Sequence, residues 1–372
     1  MRIFTNILVY FSSIIIAFAN LQAQTSTEKP IRLAIAGMTH SHIAFYFGRK
    51  NKSDFNLVGI YEPNREMALR YAKKFDFDPK LIYDDLDKML DAVKPEAVAA
   101  FGSIQEHTAV VEACAPRGIN VMVEKPLATT IEHAKKMEEL AKKYHILLLT
   151  DFETSWYPST AKLFQLVNDS DFVGNVKKVI VHDGHQGPKE INVNQEFLDW
   201  LTDPVQNGSG ALYDFGCYGA NLITYLEKGR EPVSVTAVAR QFKPDVYPKV
   251  DDDATIIVDY PDAQCVLMAS WNWPFNRKDM EVYGVSGYIV NVDNSTMHLR
   301  NRSMNAEKTI NVTSKDVPVY EDPFSYFADV IKGKMKVPEY GLYSLENNII
   351  VVKILEAAKI SAETGKTVKF DK

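Results

Sequence analysis

The chain has 372 residues, 46% of them hydrophobic, and a formal charge of −6. That length exceeds one ordinary core, so two domains are expected, with ample apolar material for both. The acidic balance argues against nucleic acid as a partner.

Residues 1–23 differ from the rest. Arg2 supplies a positive start, Ile3 to Ala19 is apolar, and Ala17-Phe18-Ala19 and Leu21-Gln22-Ala23 offer small-residue cleavage points. This pattern predicts a signal peptide, an exported (periplasmic or extracellular) protein and no stable membrane insertion after cleavage. The three cysteines, Cys114, Cys217 and Cys265, have no metal-like spacing and sit in apolar or helical contexts, so buried free thiols are expected.

Residues 24–151 alternate strand and helix. Strands are predicted at Arg32–Ala36, Asn56–Tyr61, Ala97–Ala100, Asn120–Val123 and Ile146–Leu149, with helices at Glu66–Phe75, His107–Arg117 and Ile131–Tyr144. Such alternation means a parallel sheet with crossover helices. The pattern changes in residues 152–372. After a helix at Ser159–Val167 come longer strands at Val176–His182, Val233–Gln241, Thr255–Tyr260, Cys265–Trp271, Met280–Tyr283 and Tyr288–Val292, interrupted by a helix at Leu212–Leu226. They predict an α+β domain built on one large, mostly antiparallel open sheet. Helices at Pro323–Ile331 and Ser344–Thr364 close the chain. Asp251-Asp252-Asp253 reads as a solvated turn before a strand.

The segment Val121-Met122-Val123-Glu124-Lys125-Pro126 is a buried parallel strand ending in a charged pair. Open α/β sheets bind ligands at that end. After the first strand comes Gly37-Met38-Thr39-His40-Ser41-His42. A dinucleotide fingerprint would place glycines at positions 37, 39 and 42, and only Gly37 is present. Thr39 is a candidate phosphate contact. Taken alone, the loop is equally a simple strand-to-helix turn. Glu62 ends the second strand, 25 residues past Gly37, near the spacing of the acid that holds a ribose hydroxyl. A carboxylate there favours NAD, although nearby Arg65 leaves NADP open. In Tyr213-Asp214-Phe215-Gly216-Cys217-Tyr218, Asp214 and Tyr218 stand four apart, on one helix face.

The Glu-Lys-Pro and Asp-x-Gly-x-Tyr motifs, at this separation, resemble those of the Gfo/Idh/MocA oxidoreductase family. Tyrosine in the last place is similar to its glucose–fructose oxidoreductase and dihydrodiol dehydrogenase branches. The resemblance implies an N-terminal Rossmann domain holding NAD or NADP through Gly37, Met38, Thr39, His42, Glu62, Ser103, His107 and Glu124. It implies a homo-oligomer as well. Lys125, Asp214 and Tyr218 are then the catalytic group. A tyrosine is a poor base at its usual pKa near 10, and an ammonium at Lys125 is expected to favour the phenolate. Asp183, His185, Trp271 and Trp273 are candidate sugar contacts, with a metal disfavoured. The expected activity is oxidation of a sugar or glycoside by a tightly bound, internally recycled cofactor. Net hydrolysis or epimerisation through transient oxidation, and a non-catalytic sugar-binding module, stay open.

Overall fold

The computed structural model describes residues 28–370. The predicted leader lies outside them. Among the described residues, no helix is long and apolar enough to cross a membrane.

The first unit runs β1 (Ile31–Ala36), α1 (Ile43–Gly48), β2 (Phe55–Tyr61), α2 (Arg65–Phe75), β3 (Ile82–Tyr83), α3 (Leu86–Val93), β4 (Ala97–Ala100), α4 (His107–Cys114), β5 (Asn120–Glu124), α5 (Ile131–Tyr144) and β6 (Leu148–Asp151). Its six strands are parallel, in the order β3-β2-β1-β4-β5-β6. Local chemistry sets the boundaries. Asn64, Asp85 and Thr130 accept from backbone amides to start α2, α3 and α5. The chain order reverses between β1 and β4, which opens a crevice at the C-terminal strand ends. Gly37, Lys125 and Asp151 all stand at that edge.

The second unit follows as α6 (Pro158–Asn168), β7 (Val176–Gly184), α7 (Gln195–Leu201), α8 (Ala211–Asp214), α9 (Gly216–Leu226), β8 (Ser234–Arg240), β9 (Asp253–Asp259), β10 (Gln264–Ser270), β11 (Arg277–Gly284), β12 (Gly287–Asn291), β13 (Thr296–Asn301), β14 (Lys308–Asn311), α10 (Pro323–Ile331), α11 (Leu345–Thr364) and β15 (Val368–Lys369). Nine strands form one sheet, ordered β14-β13-β12-β11-β7-β10-β9-β8-β15. Only β7 and β10 pair in parallel; the other neighbours are antiparallel. Val179, Val181, Ile256, Val258, Leu267 and Val282 alternate onto the covered face, beneath α9 and α11.

Four expectations need correction. The predicted helix Leu212–Leu226 is broken at Phe215 into α8 and α9. The second domain does not keep the whole C-terminal segment. In α10, Phe324 and Phe327 pack with Ile31, Leu33, Phe55 and Phe101, covering the outer face of the first sheet. Asp252 is fully buried and takes the amides of Phe242 and Lys243, while Asp251 takes those of Gly210 and Leu212. The acidic run therefore fastens the start of α8 and is not a solvated turn. Finally, β3, α3, α7, β13, β14 and β15 were not foreseen. The thiols match expectation: Cys114, Cys217 and Cys265 are free and buried.

Candidate active site

The crevice is built on a close approach of two loops. Gly37 has φ +78°, and a Cβ there would stand 2.7 Å from the backbone nitrogen of Gly102. Only glycine fits, for backbone conformation and for space. Glu62 reaches under this loop. It is buried, and its carboxylate accepts from the amides of Met38 at 2.9 Å and Asn64 at 2.8 Å. In this arrangement Glu62 shapes the loop from below. Ser103 is likewise turned inward, its hydroxyl donating to Gln206 at 2.6 Å.

Lys125 sits at the centre, just past β5. Its Nζ donates to Asp214 Oδ1 at 2.5 Å and to the Asp214 carbonyl at 3.0 Å. The break at Phe215 makes the second bond possible. The Tyr218 amide turns to the Phe215 carbonyl, which frees the Asp214 carbonyl from the helix ladder. Trp271 Nε1 donates to Asp214 Oδ2 at 3.0 Å. Burial works against the Lys125 ammonium, but Asp214 outweighs it and raises the lysine to about 12. Burial likewise pushes Asp214 up, and Lys125 more than reverses this. The two form a charged pair at neutral pH.

Tyr218 lies beside this pair on the same cleft. Lys125 Nζ is 5.1 Å and Lys278 Nζ 4.7 Å from its ring centroid. Both ammonium groups address the ring face, a cation–π arrangement. Burial, with Glu153 next, holds the Tyr218 hydroxyl well above its usual value. This corrects the expected phenolate: Lys125 is already committed to Asp214, and Tyr218 rests as a phenol.

The wall opposite was not anticipated. Lys278 on β11 pairs with Glu153, and Tyr157 donates to Glu153 at 2.6 Å. Burial raises Glu153, but Lys278 outweighs it and brings it down to about 2. Glu153 stands two residues past β6, the neighbour of β5. The rule that strand ends carry ligands would have flagged it. Nothing local marks Lys278, which enters through its cross-strand pairing with Asp183. With His40, Ser41, His42 and His185, these residues enclose a cleft of about 530 Å³.

The remaining candidates divide. His185 lines the cleft. Its Nδ1 accepts from the Gly187 amide at 2.9 Å, and burial lowers it to about 4, so it is neutral with a proton on Nε2. Trp271 is 0% exposed and cannot stack on a sugar; it positions Asp214 instead. Trp273 lies outside the cleft lining, under the Arg277 guanidinium. Asp183 is buried below the cleft, next to Lys278, with both carboxylate oxygens lacking partners. His107 is also sealed from the cleft; its Nδ1 lies 3.2 Å from the Leu127 carbonyl, and burial lowers it to about 4. His42 Nδ1 meets Glu124 at 3.0 Å, and burial of Glu124 is outweighed by that ring. His40 completes a possible metal triad with these two. However, its Nδ1 accepts from the His42 amide at 3.1 Å. Neutral His40 then carries its proton on Nε2, where a metal would need a lone pair.

A strap from the second unit crosses the cofactor loop. Trp200 Nε1 donates to the Thr39 hydroxyl at 3.0 Å, and Asn194 Nδ2 to the Thr39 carbonyl at 3.4 Å. Phe197 packs on the His40 ring, with centroids 4.6 Å apart.

Residues 31–152 match the oxidoreductase family with an NAD-binding Rossmann fold, and residues 161–290 match the Gfo/Idh/MocA C-terminal domain. The chain belongs to the Gfo/Idh/MocA family of NAD(P)-dependent oxidoreductases. A trans-1,2-dihydrobenzene-1,2-diol dehydrogenase of Xenopus laevis is 26% identical over 242 residues, covering 63% of this chain and 67% of that protein. The NADP-dependent D-xylose 1-dehydrogenase of Haloarcula marismortui is 21% identical over 94% of this chain and 96% of its own. Among solved structures, the aldose-aldose oxidoreductase of Caulobacter crescentus superposes with a TM-score of 0.75 at 21% identity, covering 92% of this chain and all of that one. The crevice fits the family's dinucleotide. Gly37 sits at the end of β1, where the dinucleotide-binding turn belongs, and lets that loop close on Gly102. His40 Nε2 and Glu124 Oε1 are buried without partners beside it.

Proposed function

We propose that the protein transfers hydride between a ring carbon of a sugar or glycoside and a nicotinamide dinucleotide retained in the crevice between turnovers. The observation that carries this is the placement of Lys125, Asp214 and Tyr218 together on one cleft at the end of β5. Ser41 and His42, at the end of a loop that Glu62 stiffens, and Lys125 line the cleft and would hold the dinucleotide. When bound, its nicotinamide supplies the hydride acceptor or donor.

The chain's own groups manage the proton. Oxidising a secondary alcohol removes a hydride from carbon and a proton from oxygen. Tyr218 is the group that exchanges this proton; as a resting phenol it is equipped to donate to a carbonyl oxygen. Lys125, held by Asp214, keeps a positive charge beside the oxygen where negative charge develops. His185 Nε2–H is a further donor into the cleft.

Retention rests on the strap, which closes over Thr39. It also suits a protein exported by a leader at residues 1–23, with a mature start near Asn20 or Gln24, since free dinucleotide is scarce outside the cytoplasm. A retained cofactor and a tyrosine poised to return a proton also suit a redox-neutral outcome, hydrolysis or epimerisation by transient oxidation. The relatives' substrates, a dihydrodiol and an aldose, support a vicinal hydroxyl pair as the target.

The test is mass spectrometry of the purified mature protein, followed by single-turnover absorbance on adding glucosides. Bound dinucleotide whose reduction follows sugar addition is the expected result. Protein free of nucleotide, and unchanged in melting temperature by saturating NAD or NADP, would defeat the proposal.

A further inference from the structure

The Glu153–Tyr157 wall has a concave space on each side. Beyond it a second groove, of about 540 Å³, runs between α1 and the segment leading into α10. Glu153, Tyr157 and Asn294 line both spaces, so the two adjoin across one wall. The groove's aromatic surface is Trp156 and Phe45, set edge to face with centroids 5.6 Å apart. Phe45 is 37% exposed, which is unusual for a phenylalanine inside a concavity. Asn294, Ser314 and Glu321 add hydrogen-bonding groups around that surface.

We propose that this groove receives the second pyranose of a disaccharide or longer glycoside whose reacting ring lies in the cleft against Tyr218. The inference rests on the redox assignment above and narrows its substrate. A pyranose presents an apolar C–H face within a rim of hydroxyls. An exposed aromatic pair ringed by an amide, a hydroxyl and a carboxylate complements that pattern. A single sugar would leave this half of the concavity to water. Adjacency to the cleft singles out a glycosidic extension over a second protein chain, because the groove shares Glu153, Tyr157 and Asn294 with the space that holds the reacting groups.

The probes are methyl α- and β-glucosides against maltose, cellobiose and lactose, measured as kcat/KM for reduction of bound dinucleotide. The proteins are wild type, Trp156→Ala and Phe45→Ala; both residues are partly exposed and lie outside the proton-transfer group. Wild type should prefer at least one disaccharide over the methyl glucosides by about tenfold, the scale of one aromatic contact. Both variants should lose that preference and keep their methyl glucoside rates. No wild-type preference, or equal losses on both substrate lengths, overturns the proposal. A changed sedimentation coefficient in the variants with an intact preference assigns the groove to a second copy, which also overturns it. Calorimetry on Lys125→Met separates this from the redox assignment. If no sugar reduces the cofactor, that assignment fails, and tighter binding of a disaccharide than of methyl glucosides still reads the groove alone. Equal or absent binding then removes the groove as well.

Discussion

The Trp200 indole donates to the Thr39 hydroxyl at 3.0 Å across 161 positions of sequence. One partner stands on the loop where a glycine was expected, and the other on a helix of the second unit. The missing glycine and the strap are thus two parts of one arrangement. Thr39 supplies a side chain that glycine lacks, and α7 uses it as an anchor. Gln206 extends the clasp by taking the Ser103 hydroxyl and, through its carbonyl, the Gln105 amide.

Trp200→Phe should therefore speed cofactor exchange. It removes the indole N–H and keeps most of the packing, so the fold should survive. One net hydrogen bond is worth about 1 kcal/mol, which predicts a rise of roughly five- to tenfold in the off-rate. Stopped-flow displacement of bound nucleotide by a fluorescent analogue measures it. An unchanged off-rate would mean that the strap does not govern retention.

Lys125→Met and Tyr218→Phe should each lower turnover by about two to four decades, with the melting temperature nearly kept for Tyr218→Phe. The direction of the pH effect follows from the raised Tyr218. Sugar oxidation needs its base form, so that rate should climb as pH rises from 6 to 9. Carbonyl reduction uses the phenol and should stay flat over the same range. Reduction of bound cofactor at the wild-type rate by either variant would make these residues structural.

Asp214→Asn isolates the charged pair. Breaking a buried ion pair by removing one partner costs about 3–5 kcal/mol, because the remaining charge is stranded. Burial of Lys125 then loses its main opponent, with only weaker support for the ammonium from neighbours such as Glu124, and its pKa falls from about 12. Trp271→Phe removes only the indole donor and should cost about 1 kcal/mol. Urea unfolding of both variants at neutral pH gives the comparison. Equal losses would show that Asp214 matters through its hydrogen bond to Trp271 and not through Lys125.

Sequence patterning reached the architecture because both units are periodic. Alternating strands and helices mark the first sheet, and two-residue alternation marks the second. It reached Lys125 because a strand end is a local fact, and Asp214 and Tyr218 through the Asp-x-Gly-x-Tyr motif, although the chain breaks at Phe215 where one helix face was expected. It missed α7 because Gln195–Leu201 is only seven residues long and draws its stability from contacts with Thr39 and His40. It misjudged Trp271 because burial at 0% comes from the packing of β10 against α8, and a strand-end tryptophan looks the same whether it faces a cleft or a core. The resting state of Tyr218 was also out of reach. Two lysines nearby suggest a lowered pKa, yet one is neutralised by Asp214, the other by Glu153, and burial decides.

Asp183 offers a test of that last point in stability. Burial raises its carboxyl well above the usual range, and neither oxygen has a partner. The folded state therefore holds a proton that the unfolded state releases near pH 4. With more protons bound when folded, stability falls as pH climbs above about 4, by at most about 1.4 kcal/mol per unit, until the folded carboxyl itself ionises. Asp183→Asn cannot titrate and escapes this slope. Asp151 and Glu62 are raised in the same sense, but they are present in both proteins and cancel in the difference. The variant should thus gain on wild type steadily between pH 4.5 and 8, by several degrees in melting temperature overall. Scanning calorimetry at pH 4.5, 6 and 8 reads the gap directly. A gap that stays constant across that range would mean that Asp183 is ionised in the fold, paired with Lys278 across the two strands.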